Sequence, residues 1–514
     1  MKALLVHARF PVSYWGFQYA VEIVGQKATL PPLGLMTLAA LLPEHWELRI
    51  VDCNTGSLTL ADLRWADVVM VGGMAIQSDS MKDILLQARA AGRRTVVGGP
   101  AVTTDPDRFM EADVLFQGEA ELRIDALVQA IEGTGQVVLR APEDRPDLSS
   151  SPIPRFDLVE LGDYSSACLQ YSRGCPYQCE FCDIIEIFGR RPRVKSHEQV
   201  RAELQALYDH GYRGQVFVVD DNFIGNRRAV QTLLPEVAAW QQAHDYPFAL
   251  YTEATIDLAN YDQLLADMIT AGFRAVFLGI ETPSEEALLE TGKRQNLRVD
   301  PLDAVNRLTD AGLEVMAGFI VGFDSDDTSI FALQRSFIEQ SPIPLAMVGL
   351  LSAPPGTALW RRLVREGRLR SGFSGEQFTR TNFEPVMDEV DLLRGYAALM
   401  AEVYSPEAYY ARCRAHLERV GTVPRTSAPP TRQRYLDFAR TILKVGLRSP
   451  RRLRYWRLLL QGARHSLVKL EWAIVHAVQG EHLIRYTEES VLPGLELAIA
   501  EVLRERAEAE LLAS

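Results

Sequence analysis

Cys175, Cys179 and Cys182 fall within the stretch Cys175-Pro-Tyr-Gln-Cys179-Glu-Phe-Cys182, half of the chain's six cysteines at C-x3-C-x2-C spacing. The preceding residues, Leu169-Gln-Tyr-Ser-Arg-Gly174, read as a strand ending on a glycine turn. Three thiolates on one tight loop suit a cubane iron–sulfur cluster, which takes soft cysteine ligands. The loop supplies three ligands where a cubane has four irons. One iron therefore keeps an open position for a substrate or cofactor, as a catalytic zinc site does. A structural zinc site is the alternative, but no histidine lies within ten residues of Cys182 on either side.

Such a loop needs a scaffold, and residues 146–385 have the pattern of one. Strand-like runs at Cys168–Ser172, Gln215–Asp220, Phe248–Glu253, Ala275–Ile280, Glu314–Val321 and Ala346–Leu351 alternate with helical stretches. Six βα-like repeats predict a partial parallel (β/α)6 barrel whose site lies at the carboxyl ends of its strands. Polar residues and glycines stand at those ends: Asp220-Asp221-Asn222, Glu253, Glu281 and the Gly318–Gly322 run. Any one of these acids could be a helix N-cap or a surface charge. Several in register after a cysteine loop read as a ligand shelf. Arg190, Arg191 and Arg193 are either partners for an anionic ligand or surface cations at a helix start.

Residues 1–145 show a second alternating pattern. Strand candidates are Ala3–Val6, Glu47–Val51, Val68–Gly72, Thr95–Val97 and Val114–Phe116, with helices between them. This predicts a doubly wound α/β domain with a parallel sheet. Its ligand would sit beyond the strand ends, at Met74, Ile76 and Gln77, at Gly98-Gly99, and at Gly118-Glu119. Glycines there let the backbone approach a large flat ligand. No G-x-G-x-x-G follows the first strand, which argues against a dinucleotide. Residues 132–167, with Asp144–Pro154 rich in Pro, Ser and Asp, read as a connector. Residues 386–514 lose the strand signal and predict a helical C-terminal domain. Between Thr431 and Arg464 ten Lys/Arg face a single acid, Asp437, with aromatic and leucine residues interleaved. That segment is either a solvated helical face or a contact with an anionic surface, membrane headgroups first.

The cysteine spacing, with an aromatic residue just before the last cysteine, resembles the radical S-adenosylmethionine (SAM) superfamily. A doubly wound domain before it, with Pro31-Pro-Leu-Gly-Leu35 and Gly98-Gly-Pro100, resembles the cobalamin-binding domain of cobalamin-dependent members. The Cys175–Arg193 block, the Asp220–Gly225 loop and the tail are most similar to the subgroup that contains the hopanoid C-2 methylase. The resemblance implies a 4Fe–4S cluster on Cys175, Cys179 and Cys182, with SAM chelated at the open iron. It implies SAM contacts at Asp220, Asp221, Asn222, Glu253, Glu281, Gly318 and Gly322. Cobalamin would meet Met74, Ile76, Gln77, Gly98, Gly99, Gly118 and Glu119. The D-x-H-x-x-G signature is absent, so no protein histidine is expected on cobalt. One SAM would methylate cobalamin, and a second would yield a deoxyadenosyl radical that opens an unactivated carbon to methylation. A reducing donor such as flavodoxin or ferredoxin is implied. Cyclisation, oxidation or RNA modification is the alternative within the family, and a non-catalytic cluster–corrinoid sensor the alternative outside it. Cys53, Cys168 and Cys413 lie outside the motif and read as packing residues.

The bulk numbers agree with this reading. A net charge of −13 makes a general nucleic-acid surface unlikely, and 47% hydrophobic with 24% charged residues is ordinary for a soluble protein. Six cysteines, three of them clustered, do not make a disulfide framework. The cluster asks for a reducing compartment, hence the cytoplasm, with membrane association through the basic helices as the second reading of that segment. No apolar run is long enough for a transmembrane helix.

Overall fold

The computed structural model describes residues 1–142, 144–370, 372–376, 378–421 and 432–513; of residues 432–434 and 513 only the backbone is described. Two parallel sheets and a helical region account for nearly all of it. The first sheet contains β1 (Lys2–His7), β2 (Glu47–Asp52), β3 (Val68–Gly72), β4 (Arg94–Gly98), β5 (Val114–Phe116) and β6 (Val137–Leu139). Their order is β2-β1-β3-β4-β5-β6, every pair parallel. Alternate residues of one strand enter different cores. Leu4, Val6, Val69 and Val71 pack on one face, while Ala3, Leu5, Val68 and Met70 pack on the other. Such a sheet needs near-continuous apolar strands, which is what β1 and β3 supply.

One strand corrects the expected layout. β6 lies in the stretch read as connector. It is three half-exposed residues whose place is fixed by pairing with β5 rather than by burial of its own. An edge strand this short leaves no periodic signal.

The second sheet holds β7 (Ser166–Leu169), β10 (Gly214–Val218), β11 (Phe248–Ala254), β12 (Phe273–Glu281), β13 (Glu314–Val321) and β14 (Ala346–Leu350), parallel and adjacent in chain order. Between β7 and β10, β8 (Ser172–Arg173) pairs antiparallel with β9 (Arg193–Val194). This hairpin carries the three cysteines. The strand expected over Cys168–Ser172 stops at Leu169 for a definite reason. The Asp220 carboxylate accepts the Tyr171 and Ser172 N–H groups, both at 2.8 Å, and the Ser172 hydroxyl at 2.6 Å. The chain is thereby peeled from the sheet edge into the hairpin. Gly174 makes the turn at φ +94°, where a Cβ would stand 2.7 Å from the Gly189 carbonyl.

Among the described residues six α-helices lie between Glu389 and Ala513, and the first two, Glu389–Val403 and Pro406–Arg419, cover the β14 edge and the outer barrel. Tyr396 donates to the Val348 carbonyl, Tyr404 to Ala346 and Arg412 to Ile343, so the edge is sealed by hydroxyl and guanidinium groups as well as by packing. Among the described residues no helix is long and apolar enough to cross a membrane.

Candidate cluster and cofactor site

Cys175, Cys179 and Cys182 are free thiols; Cys179 is buried and the others half-buried. Burial pushes the Cys175 and Cys182 thiols up. Desolvated thiols like these two give up their protons readily only to a positive group that replaces them, such as the iron of a cluster. The surroundings fit one. The Asn222 amide nitrogen lies 3.8 Å from Cys175 Sγ and the Gln295 amide nitrogen 3.7 Å from Cys179 Sγ. Lys293 is buried beside Phe181 and pairs with Glu281. Donors aimed at ligand sulfurs are the outer shell a cluster requires. The segment Thr291–Asn296 runs along the cysteine loop, with Glu180 N–H donating to the Thr291 carbonyl at 2.9 Å. The sequence reading missed this segment. Its only signal was the polar run Gly292-Lys-Arg-Gln-Asn296 after a strand-end glutamate.

The strand-end acids do not share one role. Asp220 is 1% exposed and spent on the hairpin backbone. Asp221 and Glu253 are the acids whose proton affinity is most raised here. Burial, then neighbouring carboxylates, raises Asp221 to about 7 and Glu253 to about 8. Asp221 Oδ2 and Asn222 Oδ1 are buried without a hydrogen-bond partner. Orphaned acceptors among raised carboxyls mark a place that wants a cationic donor. Glu281 sits at φ +64°, where the β12–β13 register slips, and its carboxylate turns back to Lys293. A side chain held in the left-handed region stores strain of the kind found at functional sites. At Gly279 any Cβ would collide with the Glu281 carboxylate and the Lys293 ammonium. At Gly318 a Cβ would stand 3.1 Å from the Phe277 ring, and Gly322 turns at φ +99° with its N–H on Asp326 at 2.8 Å.

Below these acids the barrel presents aromatic and apolar side chains. Strand alternation sends Phe217, Tyr251, Phe277 and Met316 inward, each half-exposed, while their neighbours are buried against helices. Phe217 and Tyr251 stack at 4.8 Å and 9°, and Trp15, from the loop after β1, lies 5.0 Å from Phe277.

In the first unit, the ends of β3, β4 and β5 form a shelf of small residues. Gly99 at φ +96° comes so close to Gly73 that a Cβ would meet its carbonyl at 3.3 Å, and Gly118 turns at φ +85°. Met74 is 55% exposed on that shelf, which leaves room for a flat macrocycle. Ile76 is half-buried, its backbone against Gly375. Two residues expected at cobalamin have other duties. Gln77 is 1% exposed and donates to the Ala8 carbonyl at 2.6 Å while accepting the Met74 N–H, because a buried amide must satisfy both its ends. Glu119 binds Arg173 at 2.7 Å and Arg193 at 2.9 Å. Glu121 joins Arg173 at 2.7 Å, and all four side chains are largely buried. Arg193 thus belongs to a joint between the shelf and the cysteine hairpin, Arg190 touches the Pro176 carbonyl at 3.4 Å, and Arg191 is exposed.

Comparison with known proteins agrees with this geometry. Residues 24–128 match the B12 binding domain, 169–330 the radical SAM superfamily, and 357–492 a domain of unknown function. The chain is 41% identical to an uncharacterized methyltransferase of Synechocystis, covering 95% of this chain and 92% of that one. It is 36% identical to the hopanoid C-2 methylase of Rhodopseudomonas palustris, covering 95% and 94%. Among solved structures, the cobalamin-dependent radical SAM enzyme OxsB, with aqua-cobalamin and SAM bound, superposes at TM-score 0.58 with 16% identity, covering 98% of this chain and 84% of that one. TsrM of Kitasatospora setae, with cobalamin and a 4Fe–4S cluster bound, gives 0.57 with 15% identity, covering 95% and 99%. With a radical SAM and a B12 binding domain matched and 36% identity to the hopanoid C-2 methylase over 95% of its own length, the chain belongs to the cobalamin-dependent radical SAM methyltransferases.

Proposed function

We propose that this methyltransferase places a methyl group on an unactivated carbon of a polycyclic isoprenoid lipid of the hopanoid class. The apolar, aromatic lumen beneath the acid shelf carries this reading. It offers hydrocarbon contact below Glu253 and Glu281, as a lipid skeleton requires. Full-length similarity to a hopanoid C-2 methylase supports the same substrate class.

Cys175, Cys179 and Cys182 would hold the cluster, and Asp221, Asn222, Glu253 and Glu281 the ammonium and ribose of SAM. Gly318 and Gly322 would let adenine lie against β13. Gly73, Gly98, Gly99 and Gly118, with Met74, would hold cobalamin. When bound, these groups supply a carbon-centred radical and a methyl donor. The chain's own part is to hold the ligands, set their distance and exclude water. Asp220 keeps the hairpin in place, and Trp15 and Phe277 orient the substrate. Functional boundaries at 1–145, 146–385 and 386–514 follow from this assignment. The reading also includes the cytoplasm as compartment, flavodoxin or ferredoxin as electron donor, and peripheral membrane contact through the basic C-terminal helices.

The test is anaerobic turnover of the reconstituted protein with SAM, hydroxocobalamin, a low-potential reductant and a pentacyclic triterpene. A product one methylene heavier is expected, together with 5′-deoxyadenosine. Production of 5′-deoxyadenosine with no methylated triterpene across such substrates would overturn the substrate class while leaving the family intact.

A further inference from the structure

The C-terminal basic segment divides in two when its partners are traced. Arg440 donates to the Val24 carbonyl, Lys444 to the Glu22 carbonyl, Arg451 binds Glu481, and Arg454 binds Glu407. These four are used within the protein. Arg448, Arg452, Arg457 and Arg464 are exposed and, among the described residues, have no carboxylate within ion-pair distance.

The free arginines frame apolar side chains. Along the helix Arg452–His465, each residue advances about 100°. Ala463, Trp456, Leu460 and Leu453 therefore occupy the middle of the exposed face. Arg452 falls on one border, and Arg457 and Arg464 on the other. Leu453 is 68% exposed and Leu460 57%. The preceding helical run repeats the pattern, with Leu436, Leu443 and Leu447 exposed on one stripe and Arg448 at its end. The Trp456 indole donates to the Gly446 carbonyl at 2.9 Å, so the two stripes meet at one tryptophan. In a chain of net charge −13, this patch is cationic and greasy at once.

We propose that this double stripe is a docking surface for an anionic lipid bilayer, with the leucines and Trp456 entering the headgroup boundary and the four free arginines engaging lipid phosphates. The argument is charge complementarity around an apolar centre, the pattern of a helix lying in an interface. Position adds to it. Arg440 and Lys444 tie the segment to the helix Gln18–Val24, and the loop before that helix carries Trp15 to Phe277 in the barrel. A docked enzyme would thus meet the bilayer beside a route to its lumen. This step rests on the lipid-substrate reading for its purpose but not for its test.

The experiment is flotation of the full chain with vesicles of phosphatidylcholine alone or with phosphatidylglycerol, at low and high salt. Recovery with anionic vesicles only, weakened by salt, is expected. Leu453→Ser/Leu460→Ser and Arg452→Gln/Arg457→Gln/Arg464→Gln should each lower that recovery at least tenfold, with iron content and thermal midpoint unchanged. No recovery with anionic vesicles, or recovery unaffected in both variants, would overturn the proposal. Binding to a soluble polyanion such as heparin that survives the leucine variant would also overturn it, in favour of a nucleic acid or other polyanion. Failure here leaves triterpene methylation in detergent unaffected, so the two proposals fall separately.

Discussion

The two ends of the barrel bury charge in opposite ways. At the carboxyl ends of the strands, Asp221, Glu253 and Glu281 crowd together with one cation, Lys293, and leave buried acceptors unmet. At the amino end of β13, Glu314 faces His476 at 3.6 Å, and His476 contacts His416 at 3.1 Å; both histidines are wholly buried. The lower cluster joins the barrel to two C-terminal helices and also holds unmet atoms, Glu314 Oε1 and His416 Nε2. The upper one borders a lumen and three thiols. Buried charge beside thiols and half-exposed side chains suits a ligand, whereas the same residue types packed between helices and a strand fasten elements together.

Replacing Cys179 with Ala tests the upper end most severely. Iron per chain should fall to background and methylation with it, while the thermal midpoint of the cofactor-free chain barely moves. Gln295→Leu is the next step down. Losing the donor to Cys179 should reduce cluster retention or turnover about ten- to a hundredfold, with a shifted reduction potential as the separate readout. An unchanged potential would assign Gln295 to packing.

At the lower end, His416→Ala should cost about 2–4 kcal/mol in urea unfolding, because it breaks a buried network. Iron and corrinoid content should be unchanged. Lost iron with unchanged stability would break the comparison.

The smallest effect is in pH. Asp221 and Glu253 have folded values near 7 and 8, above their ordinary 3.8 and 4.5. As pH rises through that window the unfolded chain loses these protons first, so the cofactor-free fold loses stability towards pH 8. His416 is held well below 6.5 by burial, beside His476 and Lys469, so its end loses stability as pH falls below that value. Glu314, raised by burial, opposes this in part. Asp221→Asn should therefore raise the thermal midpoint of the cofactor-free chain by about 2–4 °C at pH 8, per kcal/mol recovered, with a smaller gain at pH 5 and none once pH falls below the ordinary carboxylate value. An equal gain at both would show that the upper acids are not poised as described.

The sequence carried the architecture well because its elements are long or repeated. Glu389–Val403 and Pro406–Arg419 are helices over the ranges that periodicity and capping indicate. It carried the site unevenly. Cysteine spacing is local and needs no fold to be seen. The duty of Asp220 is different: it depends on backbone groups 48 and 49 residues away, which no local pattern reveals. Gln77 and Glu119 stand at the expected strand ends, but their side chains are claimed by Ala8 and by two arginines of the hairpin. Strand-end position predicts proximity to a ligand, and direction is settled by whichever partner is buried nearby. Gln295 was missed because its approach to Cys179 spans 116 residues.

The joint of Glu119 and Glu121 with Arg173 and Arg193 bears on how the catalytic cycle moves. Parting the glycine shelf from the cysteine hairpin would strand four buried charges, a cost of several kcal/mol. The spacing of the glycine shelf and the cysteine hairpin is then fixed when the chain folds. Methyl delivery would proceed without a swinging domain, and turnover should be indifferent to solvent viscosity except where substrate enters and product leaves.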